Sequence, residues 1–516
     1  METQYNPQAI ESPIFQSWVE GGYFRQDVVT GKDPYVVVIP PPNVTGVLHM
    51  GHALNDTIQD ALVRRQRMKG RPTRWILGTD HAGIATQNKV EQKLAKEGKT
   101  RYDLGREAFI EECWKWRTEH GNTIVEQIKR IGCSIDYEDE WFTMNESYQR
   151  AVRETFVDWW DAGYVYRGNR IINWCPRCKT ALADDEVEHE DLAGHLWHIA
   201  YPLVEPKGEL THAIIATTRP ETMLGDVAIA VNPKDERYQD LIGTMVTLPL
   251  VGRQIPIVAD DYVDIDFGTG MVKITPAHDP NDFEVGERHS LEKINVMSDD
   301  AYINELGGAY AGLDRFEARE AIVADLEKQG FLVEVEDHEH AVGHCYRCHT
   351  VVEPWLSDQW FVDMQRLVEP AIEVVKSGEV EFHPQRFAKT YLSWMENLRN
   401  WCISRQLWWG HRIPVFYCDE CGEMVASKTD LTVCPKCGAP VRQDEDVLDT
   451  WFSSQLWPFA VFGWPEKSEE LSYFYPTSVL STARDIINLW VARMIVSGMY
   501  FMDGQVPFKD VIIHPT

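Results

Sequence analysis

At 516 residues the chain is long enough for two or three domains, and a hydrophobic content of 44% supplies real cores. No run of about eighteen apolar residues exists, which argues against a membrane-spanning helix, and METQYNPQAIES does not read as a secretory signal. A formal charge of −30 argues against bulk attraction to nucleic acid, so RNA contact would need a local basic patch.

In chain order, residues 35–39 (YVVVI) predict a buried strand, stopped by Pro40, Pro41 and Pro42. Asn43 to Gly46 form a loop. A helix follows from about His49 to Met68, ended by Gly70 and Pro72. Its last turns and the residues just beyond carry Arg64, Arg65, Arg67, Lys69 and Arg71, either an RNA-contacting patch or a solvated helix end. Trp75 to Leu77 lead into Gly78-Thr79-Asp80-His81, completing a strand–helix–strand unit that predicts a parallel sheet. Residues 106–132 and 146–161 read as helices, the second stopped by Gly163. From about residue 195 the texture becomes β-rich: HAIIATT (212–218), MVTLPLVGRQIPIV (245–258) and GMVKIT (270–275) are short runs set off by Gly and Pro. Mixed texture returns after 345. The expected fold is α/β: a Rossmann-like parallel-sheet domain (1–190 and 343–516) interrupted by an inserted, mainly β domain (191–342), with zinc knuckles.

The first chemical signal is the quartet His49-Met50-Gly51-His52. A helix that starts at the carboxyl end of a strand offers its N–H groups and dipole to phosphate. His49 and His52, three apart, share a face and could both donate to an α-phosphate gathering charge. Thr45 could add a hydroxyl, and Gly51 leaves room for a nucleotide base. Two ordinary histidines at a helix start would look the same, so the context of strand, prolines, loop and helix carries the weight.

Cysteine spacing is the second signal. Eleven cysteines, eight of them in Cys-x-x-Cys pairs, fit a reducing compartment with metal sites better than a disulfide framework. Cys418, Cys421, Cys434 and Cys437, with Gly422 and Gly438 after each pair, predict tetrahedral structural zinc. Cys175/Cys178 and Cys345/Cys348 bracket the inserted domain and are expected to meet in a second zinc site. His344 and His349 are spare candidates. Cys113, Cys133 and Cys402 read as core thiols.

Several strings resemble one family throughout the chain. PPPNVTGVLHMGHALNDTIQD (40–60), GTDHAGIATQ (78–87), NWCPRCKTALADDEVE (173–188), TTRPETMLGD (217–226), ITPAHDPNDFEVG (274–286), NWCISRQLWWGHRIPV (400–415) and LDTWFSSQLWPF (448–459) are similar to the class I aminoacyl-tRNA synthetases, in their valyl branch. The resemblance implies activation of valine with ATP and Mg2+, transfer to tRNA(Val), and hydrolytic editing of threonyl-tRNA, by a cytoplasmic monomer. It implies that Asp80 binds the substrate ammonium, that Pro40, Trp451, Ile486 and Trp490 wall the isopropyl group beside Asn43, and that Asp485 contacts the nucleotide ribose. Ala483 stands where many of that family carry glycine, which weakens the assignment of Asp485. Editing is needed because a valine pocket rejects threonine by only about a hundredfold, a known limit for such pockets and not a property derived from these residues. The resemblance places editing on Asp282, with Arg219, Thr222, Lys273, Thr275 and Asp279; on composition alone these strings read as turns.

The family's KMSKS loop and anticodon-binding domain are not in the sequence, so weak or no adenylate formation is expected from this chain alone. Two other readings stay open: a fragment that only deacylates aminoacyl-tRNA, and a zinc-stabilised RNA-binding module without turnover. The acidic charge weighs against the last.

Overall fold

The computed structural model of the chain describes residues 5–208 and 210–515. It divides into two compact units, one of residues up to 166 with 360 onward, the other of residues 167–359.

The first unit is built on a six-stranded sheet in the order Glu381–His383, Phe508–His514, Thr477–Ala483, Tyr35–Val38, Thr73–Thr79, Asp136–Phe142. Every neighbouring pair is parallel. Central strands of such a sheet are covered on both faces, so they are continuously apolar rather than alternating. Val36, Val37, Val38 and Ile39 are fully buried, and every residue of Thr73–Thr79 is buried. Between the first two of these strands runs the helix Met50–Met68, and Arg106–Ile131 precedes the edge strand. Val63, Ile124 and Ile128 of those helices close on Val37, Ile39, Trp75 and Leu77. The second predicted helix is Glu146–Asp161, with Gly163 in a left-handed conformation just beyond it.

The sheet order fixes where a ligand belongs. From Tyr35–Val38 the chain moves to one side, to Thr73–Thr79; from Thr477–Ala483 it moves to the other, to Phe508–His514. Those two departing strands are neighbours, with Val37 opposite Val479. In an open parallel sheet, the loops leaving the carboxyl ends of two such strands diverge and open a crevice.

In the second unit a seven-stranded sheet runs Met271–Ile274, Ala228–Val231, Gln254–Ala259, Met245–Thr247, Val187–Lys207, Leu332–Cys345, with Leu210–Thr217 also paired to Val187–Lys207. Its core joins Ile199, Tyr201, Ile215, Ile229 and Ile257 to Ile322 and Leu326 of the helix Arg315–Gln329. This unit is wider than the 191–342 expected from texture. The Asn173–Leu182 hairpin falls in this unit, and the long ribbon Val187–Lys207/Leu332–Cys345 and both remote cysteine pairs fold with it because each joins its two ends.

The basic run at 64–71 is largely spent inside the first unit. Arg64 pairs with Asp60 and donates to the Gly132 carbonyl, Arg67 donates to the Ser134 carbonyl, and Arg71 holds Asp33 and the Pro34 carbonyl. Three of the five cations, Arg64, Arg67 and Arg71, are thus engaged by the fold. Among the described residues no helix is long and apolar enough to cross a membrane.

Candidate active site and metal centres

His49 is the N-cap of the helix Met50–Met68, and the quartet is a reciprocal cap. The Gly51 N–H donates to His49 Nδ1 at 3.1 Å, and the His49 N–H donates to His52 Nδ1 at 3.2 Å. A ring nitrogen that accepts carries no proton, so each neutral imidazole carries its proton on Nε2. The rings lie 4.0 Å apart between centroids. Burial, and then the neighbouring His49, pull the His52 imidazole down to about 4, keeping it neutral near pH 7. The result is two Nε2–H donors at a helix N-terminus, a set suited to an anion that gains charge. Gly51 is explained by this cap: a Cβ there would sit 2.9 Å from His49 Cε1.

Asp80 follows Thr73–Thr79 as the quartet follows Tyr35–Val38, so both lie at the same edge of the sheet. Backbone bonds tie the two loops together. Asp80 N–H donates to the Pro42 carbonyl at 2.9 Å, and Val44 N–H donates to the Asp80 carbonyl at 3.1 Å. Asn43 and Asp80 form an isolated parallel bridge. Asp80 is buried, 3% exposed as a residue. The Ala82 N–H donates to its Oδ1 at 2.6 Å and Ser454 Oγ to its Oδ2 at 2.5 Å. The N-cap of the next helix is Ala82, not Asp80.

Trp451 lies on the short helix Thr450–Ser454, and Trp490 in a single π-helical turn, Ile487–Val491. Such turns are rare and recur at functional sites. Trp490 is buried and its indole N–H donates to the Ser454 carbonyl at 2.9 Å. Ile486 ends the turn before it and is half-buried; Asp485, beside it, is exposed. Pro40 follows Ile39, whose carbonyl accepts the Trp457 indole N–H at 2.8 Å. Trp457 also explains Gly78: a Cβ there would meet its ring at 2.2 Å. The structure thus links Asn43, Asp80, Trp451 and Trp490 by hydrogen bonds or shared short segments, and sets Pro40, Ile486 and Asp485 at the adjoining strand ends. Thr45, half-buried in the loop, donates its N–H to the Asn43 carbonyl.

Sequence reasoning missed Ser454, Trp457 and the buried histidine His81. His81 contacts Thr143 Oγ1 at 2.8 Å, and burial holds its imidazole down to about 3.

In the second unit the six editing candidates fall on three adjoining segments. The Asp282 carboxyl is buried on the first turn of the helix Pro280–His289 and accepts the Thr275 N–H at 2.8 Å. Burial, then the Asp279 charge, push it up to about 7. Asp279 is the N-cap of that helix, accepting from Asn281 and Asp282 N–H, so the turn chemistry expected of HDPND is present alongside the cluster. Lys273 Nζ lies 3.3 Å from Asp226 Oδ1 and also contacts Thr275 Oγ1, which donates to Asp226 Oδ1 at 2.6 Å. Tyr201 OH donates to Asp226 Oδ2 at 2.7 Å. The Arg219 guanidinium is held by Glu353, by the His278 carbonyl at 2.9 Å and by Glu221 at 3.5 Å; Thr222 Oγ1 donates to the Arg219 carbonyl. Asp226, Tyr201 and Glu353 were not foreseen. Asp226 ends the TTRPETMLGD string, where an acid reads as a turn residue.

Both cysteine quartets assemble, each within one unit. All four sulfurs of each set lie within 4.8 Å of one another. The Sγ–Sγ separations are 3.4 Å for Cys175–Cys348, 3.4 Å for Cys418–Cys437 and 3.7 Å for Cys421–Cys434. Tetrahedral zinc with Zn–S bonds of about 2.3 Å sets sulfurs about 3.8 Å apart, so the donor sets fit. Four identical turns make them. The residue after each pair, Lys179, His349, Gly422 and Gly438, has positive φ and donates its N–H to the carbonyl of the first cysteine. His344 and His349 belong to neither set. Cys113, Cys133 and Cys402 are buried, as expected of core thiols. Glu381, His383 and Asp510 also gather, at the exposed sheet edge, where His383 Nε2 lies 2.6 Å from Asp510 Oδ1.

Residues 13–516 match the family described as tRNA synthetases class I (I, L, M and V). The chain belongs to that family. Among class I relatives, the valine–tRNA ligase of Geobacter sulfurreducens is 58% identical over 511 residues, 99% of this chain and 57% of that protein. The valine–tRNA ligase of Clostridium tetani is 57% identical, over 99% of this chain and 58% of its own length. The chain therefore spans somewhat under three fifths of these relatives. A LeuRS of Agrobacterium radiobacter, solved in a ternary complex with tRNA and LeuAMS, overlays 99% of this chain and 68% of its own at a TM-score of 0.53 and 18% identity, a likeness of fold. This class I chain has the parallel sheet and the inserted β unit together.

Proposed function

We propose that this class I chain carries the chemistry of a valine–tRNA ligase. The observation that carries the reading is the common sheet edge, which two histidine donors on a helix N-terminus share with a buried, hydrogen-bonded carboxylate. In this reading Asp80 takes the ammonium of valine, and Pro40, Asn43, Trp451, Ile486 and Trp490 bound its side chain. The valine carboxylate attacks the α-phosphorus of ATP; a carboxyl oxygen–phosphorus bond forms as the bond to pyrophosphate breaks. His49 and His52 donate Nε2–H to the phosphate oxygens where charge builds, Thr45 adds a hydroxyl, Gly51 keeps the approach open, and Asp485 lies by the ribose. Mg2+ accompanies the phosphates. The valyl group then passes to the terminal ribose of tRNA(Val), releasing AMP. We place this work in the cytoplasm, by a monomer, as the family resemblance implies.

In the second unit, Asp282 takes the ammonium of a mischarged threonyl ester, and Lys273, Thr275, Asp279 and Thr222 orient water and ribose. Arg219, already committed to Glu353 and the His278 carbonyl, shapes the site. Each cysteine quartet holds one structural Zn2+, since four thiolates leave no open position for substrate.

Valine-dependent ATP–pyrophosphate exchange, measured beside threonyl-tRNA deacylation, tests the reading. Exchange abolished by Asp80→Asn supports it. Deacylation without exchange favours the narrower reading, a deacylase, which the confinement of all six editing candidates to one compact unit also supports.

A further inference from the structure

We infer that Ser454 is a positioning residue that sets the substrate ammonium at a fixed distance from the side-chain wall, an inference that rests on the reading of Asp80 above. Ser454 is 374 residues from Asp80 and 2% exposed. Its hydroxyl donates to Asp80 Oδ2 at 2.5 Å, with the Thr450 carbonyl a longer alternative at 3.0 Å. One proton goes to the shorter, charge-assisted partner. Its carbonyl accepts the Trp490 indole N–H at 2.9 Å. One residue therefore grips the carboxylate through its side chain and an aromatic wall through its backbone. The helix that carries it, Thr450–Ser454, also carries Trp451, and its first residue accepts the Gly83 N–H through Thr450 Oγ1 at 2.9 Å, just past Asp80. The Ala82 N–H fixes the other carboxylate oxygen at 2.6 Å. Together the two bonds set the carboxylate plane, and the short helix ties that plane to both tryptophans. The spacing between ammonium and aliphatic side chain is thereby built into one turn of helix.

The test is binding of valyl sulfamoyl-adenosine and of its counterpart lacking the amino group, by isothermal titration. The wild-type chain is expected to prefer the amino compound. Ser454→Ala should weaken the amino compound by about tenfold or more, the range for a hydrogen bond to a charged group, and leave the counterpart within about twofold. Ser454→Thr, which keeps the hydroxyl, should restore most of the preference. A loss shared equally by both compounds would mean a packing role and overturn the inference. A wild-type preference left intact by Ser454→Ala would also overturn it, with the role of Asp80 surviving. No wild-type preference for the amino compound would sink the Asp80 reading itself.

Discussion

Asp282 is held near 7, far above the usual value of about 3.9 for an aspartate. Between those values the folded chain keeps a proton that the unfolded chain has released, so this group stabilises the fold at low pH and the contribution drains away as pH rises through 7. Asp282→Asn, which can still accept the Thr275 N–H, should remove that loss, on the order of a few kcal/mol between pH 5 and pH 8, read from urea midpoints of the second unit. The same group must ionise to hold an ammonium. Threonyl-tRNA deacylation is therefore expected to climb as pH passes through about 7, and a flat profile from pH 6 to 8 would remove Asp282 from that role. His52 and His81 have the opposite sign. Held to about 4 and about 3, they stabilise the fold fully above about 6.5 and lose that contribution as pH falls toward those values. Stability of the first unit should accordingly decline on acidification from pH 6.5 to 4, measured by thermal unfolding.

The helix Arg106–Ile131 acts on the loop of residues 43–49 as an element. From one side it donates the Trp116 indole N–H to the Val44 carbonyl at 2.8 Å, and offers Gln127 Oε1 to the Leu48 N–H at 2.9 Å. Gly121 lies between, facing Val44. Replacing Gln127 with Leu orphans one loop donor at a cost of about 1 kcal/mol. Faster amide exchange confined to residues 44–52, with the rest of the sheet unchanged, is the expected result. This clamp shows what could be read from the chain and what could not. The strand, triple proline, loop and helix of 35–68 are local patterns and stand out, as do the β-rich runs of the insertion. Gln127, Ser454 and Glu353 are ordinary residues made important by partners 79, 374 and 134 positions away, and no local period marks them. Arg219 shows the converse: its motif was visible, but its commitment to Glu353 and His278 appears only once the segments meet.

At the scale of the whole chain, the two units each have a core and each enclose one cysteine quartet. Purified protein should contain two zinc ions per chain by elemental analysis. Cys434→Ser and Cys345→Ser should each lower that to one, and each should loosen only the unit that contains it, read by limited proteolysis. A single ion per chain, or destabilisation spread equally over both units by either change, would contradict the assignment.

The four knuckle turns are alike in shape but unlike in chain separation and in the residue at the left-handed corner. One quartet spans 418–437 with glycine at both corners; the other joins 175 to 348 with lysine and histidine there. A ribosome emits them in that inverse order of difficulty. In the zinc reading the glycine quartet can load an ion as soon as twenty residues emerge, whereas Cys175 and Cys178 wait as unliganded thiols through the translation of the entire insertion. An oxidant or a soft metal acting during synthesis should therefore damage nascent chains at that first pair, and finished molecules far less.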